Sequence, residues 1–282
     1  MMSNRLPKWA VLTLGVVIVT GCTTRLAYNN IDVWLSYRLS SYVTLTSSQE
    51  SVFDRGLDSA LALHRRQEMP KIHRAIDRLQ ADLLAPMSYG QVQEYYTVFT
   101  QLGQDSAAIL ADPLADVFSQ LDNTQVAQVE ASLRQRFAEF DEERSQLSDS
   151  QKLTKRAGRL QDFTQDWVGS LTSRQKELLT ELAGYQLEMA PIFRSLRNGY
   201  LTRWQQLMKT RTQPAFKGQF TQLMRDMVAL NSSEHQAEVR FYLNRRFELM
   251  RRLNHTMSPQ QQSYLNRKLI DLRKDVALLI NQ

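Results

Sequence analysis

The chain is poor in residues that cross-link or interrupt a fold. Among 282 residues there are one cysteine, ten glycines and seven prolines, the last two at roughly half their usual share. A single cysteine excludes an intramolecular disulfide, so stability has to come from packing. Glycine is too scattered to build a phosphate-cradling loop. Valine and isoleucine never form the alternating runs of half-buried strands. Histidines occur only at 64, 73, 235 and 255, with no i,i+4 pair and no His-Glu-x-x-His, so no helical metal site is expected. There is no Gly-x-Ser-x-Gly either. No catalytic, cofactor-binding or metal-binding residue is nominated, and the chain is not expected to be an enzyme.

What is abundant is Leu, Ala, Gln, Arg and Glu, all strong helix formers. The expected fold is all-α, a helical bundle of about eight to ten helices, some long and proline-kinked, joined by short turns. With no low-complexity linker, residues 28–282 read as one domain.

The N-terminus carries the clearest signal. Arg5 and Lys8 precede a short apolar run, Ala10 to Thr20. Eleven residues are too few to span a bilayer, which needs about 20. A positive start, a short apolar middle and a small residue before the cut describe a secretory signal peptide, residues 1–21. The segment Val19-Thr20-Gly21-Cys22 resembles a bacterial lipobox. The resemblance implies cleavage between Gly21 and Cys22, diacylglyceryl transfer to the Cys22 sulfur, and acylation of the new amine by a fatty acid such as palmitate. Lipidation would consume the only thiol. Residues 22–27 would form the anchor and tether, and Thr23, not an acid, follows the cysteine. By analogy with enteric lipoproteins this points to the periplasmic face of the outer membrane.

Seven segments share one pattern: an apolar residue, a Ser, Thr, Asp or Asn, two free positions, then Gln or Glu. They place the polar residue at Thr46, Ser88, Asp122, Ser148, Thr172, Asn231 and Ser258. Each reads as a capping box that starts a helix, and most are followed by apolar residues at steps of three and four. Two stripes contain a polar residue, His64 and Ser106. Pro70 and Pro191 fall within helical stripes, so kinks are expected there. Asp112-Pro113 and Gln213-Pro214 read as caps with a first-turn proline.

Residues 28–43 are apolar and aromatic. Packing in the core is the expectation, with a position at the bilayer interface as the alternative; only Arg38 there could meet a lipid headgroup. Tyr28-Asn29-Asn30 behind the lipobox, then Tyr42-Val43-x-Leu45-Thr46-x-x-Gln49, resembles an uncharacterised family of proteobacterial lipoproteins. That resemblance implies a helical envelope domain and transfers no catalytic residue. The Leu-Thr-x-x-Gln segments at 45–49 and 171–175 are also similar to the signature of Spy- and CpxP-type periplasmic chaperones.

No acid lies between Glu188 and Asp226, while arginines abound there and after Val239. Arg194, Arg197, Arg203, Arg211, Arg245, Arg246, Arg251 and Arg252 are the candidate contacts for an anionic partner. The competing and favoured reading pairs these faces with acids on neighbouring helices, such as Glu139 to Glu143. The expected role is non-enzymatic binding or envelope maintenance, with the membrane held through the lipid. A further partner would be an envelope protein, lipopolysaccharide or peptidoglycan. Nucleic acid is excluded by export. A client-binding chaperone and an envelope hydrolase are the alternatives.

Overall fold

The structure is a computed structural model, and it describes residues 22–282. The signal-peptide reading and Gly21 lie outside the described residues, and of Cys22 and Thr23 only the backbone is described. Among the described residues the fold is all-helical, with 83% helix and no strand. Twelve helices form, more than the eight to ten expected.

In chain order they are α1 (Cys22–Asn29), α2 (Ile31–Ser40), α3 (Ser47–Gln67), α4 (Met69–Asp82), α5 (Tyr89–Phe118) and α6 (Asn123–Ser145). After these come α7 (Asp149–Val168), α8 (Ser173–Glu188), α9 (Ala190–Lys209), α10 (Phe216–Ala229), α11 (Gln236–His255) and α12 (Pro259–Ile280). Part of the excess comes from prolines. α3 meets α4 at Glu68 and α8 meets α9 at Met189, with Pro70 and Pro191 in the following first turns. A proline ring removes one donor and crowds the preceding turn, so each long stripe bends where it passes one.

Six of the seven expected capping boxes form, at Thr46, Ser88, Asp122, Ser148, Thr172 and Ser258. The seventh does not. Leu230 is left-handed at φ 56° and ends α10, and the Asn231 N–H donates to the Asp226 carbonyl at 2.9 Å. Asn231 therefore closes one helix instead of opening the next, and α11 starts five residues later. Asp112-Pro113 is a second correction. Pro113 lies inside α5, which runs unbroken from Tyr89 to Phe118. Gly56 of α3 faces it, where an added Cβ would sit 3.0 Å from the Pro113 Cβ. The glycine thus permits a close backbone approach at that point of α5. The third concerns Gln213-Pro214: α10 begins at Phe216 behind Ala215, with no side-chain cap.

Four of the six boxes are joined in pairs. Gln49 and Gln125 lie side by side, each amide donating to the other's oxygen at 2.9 and 2.7 Å. Each amide oxygen also accepts from its own cap, Thr46 or Asp122. The second donor of Gln49 reaches the Gln120 carbonyl, and that of Gln125 the Thr44 carbonyl. Gln175 and Gln261 repeat the arrangement, with the Thr256 and Ser170 carbonyls as outer acceptors. In both pairs the outer acceptor sits two residues before the partner helix's cap. All four donors and acceptors of each pair's inner edge are satisfied in a buried place, which is where a polar network is strongest. The start of α3 is thereby locked to that of α6, and the start of α8 to that of α12.

The main core gathers α2, α3, α5, α9 and α10 around Phe53, Leu57, Val117, Phe118, Trp204, Phe216 and Leu223. A second cluster joins α4 and α12 through Ile76, Leu272, Val276 and Leu279. Smaller clusters seat α11 on α8 and α9. Tyr28 of α1 touches both of the larger clusters.

Candidate functional site

The two polar residues on apolar stripes find each other. His64 of α3 is buried, with Nε2 3.0 Å from Ser106 Oγ on α5 and Nδ1 2.9 Å from the Tyr28 hydroxyl on α1. The Ser106 hydroxyl donates to the Leu102 carbonyl, so it accepts from Nε2–H, and Nδ1 accepts from Tyr28. Burial, helped by the Arg65 charge, lowers the His64 pKa to about 4. Burial likewise raises Tyr28 to about 12. The group is a satisfied neutral chain, suited to pinning α1 to the body. A shallow recess of about 260 Å³ beside it is lined by Tyr28, Asn29, Asp32, Asp58, Leu61 and Arg65; Ser106 does not line it. Among the described residues no cluster of His, Cys, Asp and Glu could hold a metal ion.

The segment behind Cys22 is divided between a face packed on the core, as expected, and a face left exposed. Tyr28, Ile31, Leu35, Leu39 and Val43 pack on the main core. Leu26, Val33, Trp34 and Tyr37 point outward, from 51% to 68% exposed. Among the described residues eight large hydrophobic side chains are exposed, and half fall within these twelve positions. Sequence reasoning found the segment apolar but could not divide its faces, because apolar residues run all round the helix. No described helix is long and apolar enough to cross a membrane.

Seven of the eight candidate arginines are engaged with acids or backbone carbonyls, and the eighth lies over an aromatic ring. Arg194 and Arg197 of α9 meet Asp141 of α6 at 3.5 and 2.8 Å, and Arg197 also lies over Phe137. Arg203 pairs with Asp226 at 2.7 Å. Arg211 donates to the Leu121 and Met208 carbonyls and to Asn123. Arg245 joins Glu188 across the Tyr185 ring, Arg251 joins Glu248, and Arg252 joins Glu181. Arg246 stands over the Tyr96 ring. Most of these contacts tie one helix to another.

A model of a family of unknown function (DUF6279) matches residues 41–236. The chain belongs to that family. The match covers the stretch from the end of α2 through α10, and so includes the Gln49–Gln125 lock. No curated protein and no solved structure is detectably similar to this DUF6279 member.

Proposed function

We propose that this DUF6279 protein is a lipoprotein anchored through acylated Cys22 to the periplasmic face of the outer membrane, with a non-enzymatic binding or envelope-maintenance role. The observation that carries the reading is the sole cysteine of the chain standing directly after Val19-Thr20-Gly21, behind a positive start and an eleven-residue apolar run. Two structural features support it. Cys22 lies within α1, which is seated in the body by Tyr28, so an acyl anchor would hold the bundle close to the lipid. His64, the buried histidine, is neutral and engaged on both nitrogens, which suits a structural part better than a catalytic one.

In this reading the arginines serve first as ties between helices, and a partner is recognised by surface shape more than by a basic field. The two Leu-Thr-x-x-Gln segments, similar to the Spy and CpxP signature, act as helix caps and buried amide locks. The test is metabolic labelling with an alkyne-tagged palmitate followed by envelope fractionation. Wild-type chain should carry the label and sediment with outer membrane. Cys22→Ser should lose the label and keep residues 1–21. Labelling that survives in Cys22→Ser would overturn the proposal.

A further inference from the structure

We propose that the outward face of α1 and α2, formed by Leu26, Val33, Trp34 and Tyr37, lies flat in the headgroup region of the lipid leaflet that holds Cys22. This rests on the lipoprotein reading and deepens it, because it fixes how the bundle is oriented on the membrane.

Three observations carry it. The first is position. In the lipoprotein reading the acyl chains join the protein at Cys22, within α1. At 1.5 Å per residue, Leu26 is about 6 Å along α1 from Cys22, and Val33 to Tyr37 spans about 6 Å of α2. Two short helices, of 8 and 10 residues, attached at one end and bearing an apolar flank, fit along a bilayer surface and not across it. The second is composition. Between residues 24 and 40 the exposed side chains are Leu26, Ala27, Asn29, Asn30, Val33, Trp34, Tyr37 and Ser40, none of them charged. In a chain with 23% charged residues, seventeen positions without one exposed charge mark a face not built for bulk water. Tyr, Trp and Asn suit the boundary, where an apolar body meets polar headgroups.

The third observation is that the charges of the segment are drawn aside. Arg38 is only partly exposed and lies 5.9 Å over Trp34 and 5.7 Å over Tyr42. Asp32 turns to the recess beside Tyr28. Arg25 interacts with Asp275 of α12. The opposite side of α2 is committed to the core through Ile31, Leu35 and Leu39. The helix cannot roll its outer face inward, so that face needs an occupant of its own.

The full chain is purified from membranes and reconstituted in vesicles of phosphatidylethanolamine and phosphatidylglycerol, with lipid brominated near the top of the acyl chain as quencher. After cleavage the tryptophans are Trp34, Trp167 and Trp204, and Trp204 is buried. Brominated lipid is expected to quench part of the wild-type emission, and this component should vanish in Trp34→Phe. Phe keeps the ring under Arg38 and changes nothing buried. Equal quenching in both proteins, or none, overturns the proposal. So does a Trp34 signal that ignores bromine but changes with protein concentration, since a second copy would then cover the face. The mass of the Cys22 peptide from the same sample separates the two readings. An acylated Cys22 with unquenched Trp34 overturns only the docked face, whereas an unacylated Cys22 overturns the anchor.

Discussion

The same four-residue motif should differ several-fold in energetic weight according to its place in the fold. Gln175 is fully buried and shares hydrogen bonds with Gln261, the Thr172 N–H and the Thr256 carbonyl. Gln175→Ala removes all of them. Gln261 keeps Ser258 and Ser170, but its inner N–H and the Thr256 carbonyl lose the partner that buried glutamine supplied. An orphaned buried group costs about 1–3 kcal/mol, and the lost side-chain packing adds about 1 kcal/mol. With two groups orphaned, the expected loss is therefore about 3–7 kcal/mol. Gln151 closes an identical box, with Ser148, on the surface. There water replaces the amide, so Gln151→Ala should cost only about 0.5–1 kcal/mol. Urea unfolding followed by circular dichroism measures both. The paired reading adds a second requirement. Gln175→Leu with Gln261→Leu should cost less than the two singles summed, by about 1–2 kcal/mol, because each single leaves the other amide half-satisfied. Additive costs, or similar losses at Gln151 and Gln175, would refute the lock.

His64 should make stability pH-dependent. Its folded pKa, near 4, lies below the ordinary 6.5, so between those values the unfolded chain binds the extra proton. Stability should rise with pH across that window, by about 3 kcal/mol for the whole shift, and His64→Phe should flatten the rise in urea titrations run from pH 4 to 7. Gly56→Ala should cost about 1–3 kcal/mol by pushing α3 away from Pro113, visible as a lowered Tm without a changed m-value. Arg197, whose side chain is only 12% exposed against Asp141, should cost about 2 kcal/mol when changed to Ala. Arg194 is 56% exposed in its pair with the same acid and should cost under about 1 kcal/mol; denaturant midpoints compare the two.

Local signals were legible in the sequence and long-range ones were not. A capping box closes within four residues, so Thr46, Ser88, Asp122, Ser148, Thr172 and Ser258 could be read directly. That Gln49 would meet Gln125, and Gln175 meet Gln261, depends on helices 76 and 86 residues apart. Nothing near Ser88 or Ser148 sets those unpaired boxes apart. Asn231 misled because an Asn after an apolar residue serves a helix end as well as a start. Pro113 misled because Asp-Pro reads as a cap, yet α5 continues past it. His64 and Ser106 were visible as polar breaks in two apolar stripes, and such a pair is a usable hint that the stripes face each other. The outward face of α2 was hidden because apolar residues fall on every side of it and give it no direction of its own. That arginines would meet acids of the 139–143 stretch on a neighbouring helix was legible, and Asp141 does meet Arg194 and Arg197; which arginine meets which acid was not, because the partners lie far apart in sequence.

The proposed anchoring of this bundle is tested most directly by the intact mass of the chain extracted from envelope membranes. The expected result is a polypeptide lacking residues 1–21 and heavier than the remaining sequence by a diacylglyceryl group and an amide-linked acyl chain. A full-length chain, or one whose Cys22 thiol still reacts with an alkylating reagent, would contradict it.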